Sequence, residues 1–230
     1  MAKIRPEQVV AAALELLDEL GLDALTTRKL AQKLGVESAT LYWHFRDKAV
    51  LLGQMASTVL VEHHTLAVPD STEPWASWFA DNARSFRAAL LSHRDGARLH
   101  AGSTPGQTEM ERLLPKIAYL EQVGFSQEEA AMALLSAGEY TLGCVLESQT
   151  RQAADNDQTA KKTETDTEAS PEPNTNGQDQ SAAASLPALD PETSFEFGLM
   201  LMVEGLKQRL LTPKTGDKKP KTASTTKKKT

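Results

Sequence analysis

The chain has 230 residues, with 25 Lys/Arg against 31 Asp/Glu for a formal net charge of −6, and 40% of it is hydrophobic. That is enough length and apolar content for one or two domains with real cores. Its one cysteine, Cys144, excludes a framework of internal disulfides and fits a reducing, cytoplasmic setting. No apolar run reaches the roughly 18 residues that span a bilayer, and the opening stretch lacks the apolar core of an export signal, so no membrane association is expected.

The charge is segregated. Residues 212–230 hold seven lysines and one aspartate, while residues 155–190 hold eight acidic and two basic residues. These cancel, which leaves an acidic body and argues against broad nucleic-acid affinity. An architectural nucleic-acid protein is disfavoured on that ground, and any DNA contact must come from a local basic surface.

The pattern predicts an all-α protein. Val9, Ala13, Leu16, Leu17 and Leu20 recur at helical spacing, and Gly21 stands where a left-handed terminator belongs. Thr26 or Thr27 caps a second helix carrying Leu30, Ala31 and Leu34, and after Gly35 a third short helix capped by Ser38 is expected through about Phe45. Asp47 caps the next, through about His64, with Val50, Leu51, Met55, Val59 and Leu60 inward. Pro74 opens a helix through Leu91, and further helices are expected at about 95–100, 107–123 and 127–150. Residues 151–190 are too polar to offset their ordering entropy and read as a disordered linker. A last helix covers 191–211, followed by a Lys-rich tail. The expected division is a small N-terminal unit over 1–47, a larger helical unit over 48–211, and the tail over 212–230.

Residues 27–45 have the layout of a helix-turn-helix. Ala31 lets two helices cross closely, and Gly35 permits the left-handed turn between them. Leu30, Leu34, Val36 and Leu41 face inward, which leaves Ser38, Ala39, Thr40, Tyr42, Trp43 and His44 on or near the outer surface. Between 26 and 48, Arg28, Lys29, Lys33, Arg46 and Lys48 outnumber Glu37 and Asp47. Cations and hydroxyls placed this way bind phosphates while a few side chains reach base edges. Four successive large side chains, Tyr42 to Phe45, cannot all point into a small domain; Tyr42 and Trp43, or Trp43 and His44, must meet solvent or a partner.

The run Leu25-Thr-Thr-Arg-Lys-Leu-Ala-Gln-Lys-Leu-Gly-Val-Glu followed by Thr40-Leu-Tyr-Trp-His resembles the DNA-binding domain of the tetracycline repressor family. The resemblance continues through His63-His-Thr, Ala83-Arg-Ser-Phe-Arg, Leu90-Leu-Ser-His-Arg-Asp-Gly-Ala and Thr141-Leu-Gly-Cys-Val-Leu-Glu, covering roughly residues 6–150 and 191–211. It implies a homodimeric repressor on palindromic double-stranded operator DNA, with two half-sites about one helical turn apart. Arg28 and residues 38–42 would read bases, and Thr27, Thr40, Tyr42, Trp43, His44 and Lys48 would touch or flank the backbone. Ser38-Ala39 stands where relatives carry Gln-Pro, so the operator sequence does not transfer.

The residues between 64 and 147 show no compact metal-ligand spacing of their own, and no nucleophile–base pairing that would suggest an enzyme. The resemblance assigns them to a site for tetracycline, chelated to Mg²⁺, that controls a resistance (efflux) gene. It implies that His64 and Asn82 bond the polar ring-A edge, Phe86 and Pro105 pack on the flat faces, and His100 ligates the metal. Ser103 and Glu147, the latter from the second subunit, would hold the ion's waters, as suits a hard cation that keeps water. Thr104, Lys116 and Glu139 stand where arginine, glutamine and histidine are expected, with Lys116 near the ligand and Glu139 a candidate to offset its charge. The alternative is a repressor of the same fold answering another planar or lipophilic molecule. The polar 155–190 stretch implies a more open pocket. Two helices per subunit, one with Leu134, Leu135, Gly138, Thr141, Leu142, Val145 and Leu146 and the other with Phe195, Phe197, Leu199 and Leu201, would form a four-helix dimer interface. Gly102 marks a place where ligand at His100 would rearrange a turn and push the helix that carries the DNA-binding domain.

Overall fold

The computed structural model describes residues 4–103, 107–165 and 190–212. They form α1 (Pro6–Leu20), α2 (Thr27–Leu34), α3 (Ser38–Tyr42), α4 (Lys48–His63), α5 (Trp75–Leu91), α6 (Gly96–Ala101), α7 (Gln107–Val123), α8 (Gln127–Thr165) and α9 (Pro191–Leu211), with no strand among the described residues.

Local chemistry sets most helix ends. The Thr26 hydroxyl accepts from the Lys29 amide at 3.2 Å, and the Asp47 carboxylate accepts from the Val50 amide at 2.9 Å, so both caps fall where expected. Gly35 closes α2 in the left-handed conformation (φ 67°, ψ 33°) that frees the chain to turn. Two termini differ from expectation. Glu37 precedes α3 and Ser38 is its first residue, without a side-chain cap. Gly21 has φ 79° but ψ 168°, a positive-φ extended residue instead of a left-handed terminator.

Helices α1 to α4 share one core built on Val9, Ala13, Leu17, Leu30, Leu41, Phe45, Leu51 and Met55. This core does not stop at residue 47. It continues through Val59 and Leu60 and takes in Ala89 of α5 and Leu99 of α6. A second core lies between α5, α7, α8 and α9, around Trp78, Phe79, Tyr119, Leu120, Phe195 and Leu199. Val50 is 43% exposed, not inward: the buried face of α4 runs through Leu51, Met55, Ala56, Val59 and Leu60, and Val50 falls on the side of the helix opposite its centre.

Helix α8 runs to Thr165, fifteen residues into the stretch expected as linker. Elongating an established helix needs no new nucleus, and the Glu147–Arg151 pair four residues apart supports the turn that crosses position 150. The remainder of that stretch, 166–189, and the Lys-rich tail lie outside the described residues.

The apolar residues expected on one dimer face of α8 divide between two. Leu134, Thr141 and Val145 are buried in the subunit, whereas Leu135 is 55% exposed and neighbours Met132 on an outer face. Helix α9 divides the same way: Phe195 and Leu199 are inside, Phe197 and Leu201 outside. Arg84 forks onto Glu196 at 2.8 and 2.6 Å and Arg87 pairs with Glu192, so α9 is held against α5 by charge as well as by packing.

Candidate functional site

Two surfaces carry the chemistry. The first is the α2–turn–α3 unit. Arg28, Lys29, Arg46 and Lys48 are exposed, Thr27, Ser38, Thr40 and His44 are half-buried, and Ala39 is exposed. Tyr42 and Trp43 project to solvent with 55% and 87% of their surface open. Of the two aromatic pairs the sequence allowed, Tyr42 and Trp43 are therefore the outward one. Lys33 does not belong to this surface. Its ammonium lies 3.1 Å from Glu15 and 2.7 Å from Glu19 of α1, which neutralise it.

The second is the space bounded by α4, α5, α6 and α7. His64, directly after α4, is held at both ring nitrogens: Nδ1 faces the Ser85 hydroxyl at 2.9 Å and Nε2 faces Lys116 Nζ at 2.7 Å. An ammonium only donates, so Nε2 is the acceptor and Nδ1 carries the proton towards Ser85. Burial, helped by the Lys116 and Arg112 charges, pushes the His64 pKa down to about 3, so the ring is neutral. Lys116 also donates to Asn82 Oδ1 at 2.6 Å, and Arg112 donates to the His64 carbonyl. Spacing alone did not reveal this arrangement, because His64 lies 52 and Asn82 34 residues from Lys116.

From His64 an aromatic line leads to His100. The His64 and Phe86 rings are 5.8 Å apart, and Phe86 meets His100 edge-on at 5.1 Å. His100 Nδ1 is buried without a hydrogen-bond partner, and burial lowers the ring's pKa, so it stays neutral with a lone pair to offer. Ser103 turns its hydroxyl back onto the His100 carbonyl at 2.8 Å, while Pro105 and Thr104 lie outside the described residues. Glu147 is not brought to this space within one subunit; it pairs with Arg151 on the outer face of α8. Glu139 is exposed on the same helix and is not an ion-pair partner of Lys116, so the offsetting charge expected of it is not supplied within the subunit. No cluster of three or more His, Cys, Asp or Glu that would cage a metal occurs among the described residues.

A set of polar contacts joins this space to the DNA-binding domain. Asp18 of α1 accepts from the Arg94 amide at 2.9 Å and faces His93 Nδ1 at 2.8 Å. Asp95 accepts from the Leu22 amide at 2.8 Å, and Arg98 forks onto Asp23 at 3.0 and 2.8 Å. Helix α6 is thus latched to the end of α1 by its N-terminal residues and presents His100 near its C-terminal end. The expected route ran through α4; the direct latch was missed because Asp18, Asp23 and Arg98 read as ordinary surface charges.

An exposed aromatic and cationic helix-turn-helix joined to a pocketed, two-sided helical core defines a ligand-responsive DNA-binding regulator. Comparison with known proteins agrees. Residues 9–55 match the model for bacterial regulatory proteins of the tetR family, and residues 68–210 match the tetracyclin repressor-like C-terminal domain. The chain belongs to the TetR family, whose members are DNA-binding regulators and not enzymes. It is 42% identical over 223 residues to the tetracycline repressor protein class A from transposon 1721 of Escherichia coli, covering 94% of this chain and all of that protein. Identity to the class D repressor of Escherichia coli is 39% over 210 residues, covering 91% and 92% of the two chains. Among solved structures, TetR (class A) in complex with 5a,6-anhydrotetracycline and magnesium is 40% identical with a TM-score of 0.64, covering 89% of this chain and 99% of that one. A variant of TetR from Acinetobacter baumannii AYE in complex with minocycline gives a TM-score of 0.72 at 36% identity, covering 90% and 99%. No helix among the described residues is long and apolar enough to cross a membrane.

Proposed function

We propose that the chain is a cytoplasmic, homodimeric repressor that holds a palindromic operator and releases it when a tetracycline-class effector enters the His64–Phe86–His100 pocket. The observation that carries this is the placement of that pocket on α6, the helix latched to α1 through Asp95, Arg98 and their partners. The exposed Leu135, Met132, Phe197 and Leu201 supply the apolar face for the second subunit. A methyl group added at Gly138 or Gly143 of α8 would meet nothing within 4 Å in the subunit, which leaves room for close approach there. Arg28 and residues 38–42 enter the major groove, while Thr27, Tyr42, Trp43, His44 and Lys48 bind the backbone.

The residues fit a Mg²⁺ ion that arrives with ligands of its own. One neutral, buried, unpartnered imidazole nitrogen at His100 suits a single protein ligand, and the lack of a three-residue cage among the described residues leaves the other positions to effector and water. His100 would hold it directly, with Ser103 and the partner subunit's Glu147 on its waters. When bound, Mg²⁺ would fix the effector's chelating oxygens at that end of the pocket. Phe86 presents the flat contact, and Pro105 would close the other face.

Release follows from α6. A ligand that binds the DNA-incompetent dimer more tightly shifts the population towards it, and moving it from 1:99 to 99:1 requires about 5.5 kcal/mol of differential binding. The latch conveys a shift at His100 to Asp18, Leu22 and Asp23, and the shared core conveys it through Leu99 to α4. Lys116 at the polar end favours one second reading, a different planar effector on the same scaffold. Titration with tetracycline, followed by drug fluorescence in Mg²⁺ and again in EDTA, separates these. One site per chain with binding weakened by EDTA is expected. Binding indifferent to EDTA removes the metal, and no binding removes the drug class.

A further inference from the structure

Helix α6 is gripped from two sides at its N-terminal end. The first amides of a helix have no partner within it, and Asp95, which precedes α6, does not cap them. It holds a left-handed conformation at φ 55° and sends its carboxylate to the Leu22 amide beyond the end of α1. The cap comes from α8 instead. Gln149 Oε1 accepts from the Ala97 amide at 3.2 Å, and Nε2 donates to the Leu90 and His93 carbonyls at 3.4 Å each. One side chain thus joins α8 to the end of α5, the turn after it and the start of α6. Packing follows the same route. Val145, one turn before Gln149, is buried with Leu90 and Ala97, and a side chain at Gly96 would run into the Leu90 carbonyl.

We propose that Gln149 is a positioning residue for operator binding: by capping α6 from α8, it ties the DNA-binding unit to the helix that carries the dimer face and so sets the separation of the two recognition helices. This rests on the dimeric, operator-binding reading above. The chain of contacts is short. Asp18, Leu22 and Asp23 hold Arg94, Asp95 and Arg98 on one side of the α6 N-terminus, and Gln149 holds Ala97 on the other. Helix α8 then carries the exposed Met132 and Leu135. Two half-sites on one duplex demand a fixed separation, because each inserted base pair moves one of them by about 3.4 Å and turns it by roughly 35° about the axis. With the tie cut, each DNA-binding unit follows such a displacement more easily. The protein then tolerates altered spacing, which is a different outcome from uniformly weaker binding.

The test is half-site spacing. A palindromic duplex selected from a random library with the full-length wild type is compared, by anisotropy at one salt concentration, with the same duplex lengthened at its centre by one base pair. Light scattering checks that each variant remains a dimer. The wild type should prefer the selected spacing by about tenfold or more. Gln149→Met keeps the stem and loses the hydrogen bonds; it should narrow the preference to about threefold or less and speed hydrogen exchange of the α6 amides by about tenfold. Gln149→Glu, whose carboxylate still accepts from the Ala97 amide, should keep the preference. Gln152→Met, at an exposed position three residues on, should behave as the wild type does. A spacing preference undiminished in Gln149→Met, an equal loss of it in Gln152→Met, or a Gln149→Glu protein as permissive as Gln149→Met would each overturn the proposal. If the wild type selects no palindrome, the operator reading fails. The α6 exchange still reports on the tie in that case, and exchange unchanged in Gln149→Met would overturn it as well.

Discussion

Lys116→Gln is expected to stabilise the protein. Burial, with the Arg112 guanidinium nearby, lowers the Lys116 pKa from its usual 10.5 to about 8. A shift of that size corresponds to a cost of about 3 kcal/mol for keeping the ammonium charged inside the fold. Glutamine removes that cost and can still donate to His64 Nε2 and Asn82 Oδ1, though more weakly than an ammonium. The net gain should be about 1–3 kcal/mol, a rise in Tm of about 2–10 °C. Urea unfolding at pH 7 and at one fixed protein concentration measures it, because dimer stability depends on concentration. The pH profile gives the sharper reading. A lysine with a depressed folded pKa contributes no penalty once neutral in both states, above about 10.5. The wild type loses stability as pH falls from there through 8 and loses no more below. The gap between variant and wild type should therefore be constant below pH 8 and close as pH rises towards 10.5. A variant less stable than wild type at pH 7, or a gap that does not close, would refute the assignment of a costly buried charge.

Three further outcomes follow from the site. His64, neutral in the fold with a pKa near 3 against 6.5 when unfolded, contributes stability that is present above pH 6.5 and lost as pH falls towards 3. His64→Asn should remove up to about 1.4 kcal/mol per pH unit of that loss between pH 6 and 4, read from chemical denaturation at each pH. Trp43→Ala should leave stability within about 0.5 kcal/mol, because 87% of the ring is exposed, yet weaken operator binding about tenfold or more in an anisotropy titration. Gly102→Ala places a methyl 3.3 Å from the Arg98 carbonyl, close but tolerable at φ −84°. It should bind effector as the wild type does while staying on its operator at higher effector concentration, since the turn after α6 is stiffened; unchanged induction would exclude that turn as the coupling element.

Signals that lie within one helix or its cap were legible from sequence. Thr26 and Asp47 cap through their own side chains, Leu16 and Leu17 face inward by periodicity, and the crowding from Tyr42 to Phe45 forces an aromatic pair outward. What sequence did not show depends on charges meeting across the fold. Lys33 counts as a DNA-facing cation until α1 brings Glu15 and Glu19 to it. Lys116 is an unremarkable helical lysine until α5 and the end of α4 close over it, and Asp18, Asp23 and Asp95 become a latch only when α6 docks on α1. The two faces of α8 and α9 failed to separate for a different reason. Both sides of each helix are apolar, and composition alone does not say which side the subunit keeps and which it offers to a second copy.

In the proposed function, one pocket controls one DNA-binding surface. This is tested most directly by holding the protein on a fluorescently labelled palindromic duplex, chosen by selection from a random library, and adding tetracycline with Mg²⁺ while following anisotropy. Release at about one drug per chain, lost in His100→Ala but retained in a variant altered only on the Lys-rich tail, is the predicted result. A duplex that stays bound while the drug demonstrably occupies the pocket would contradict the account, because it would separate ligand binding from the α6 latch.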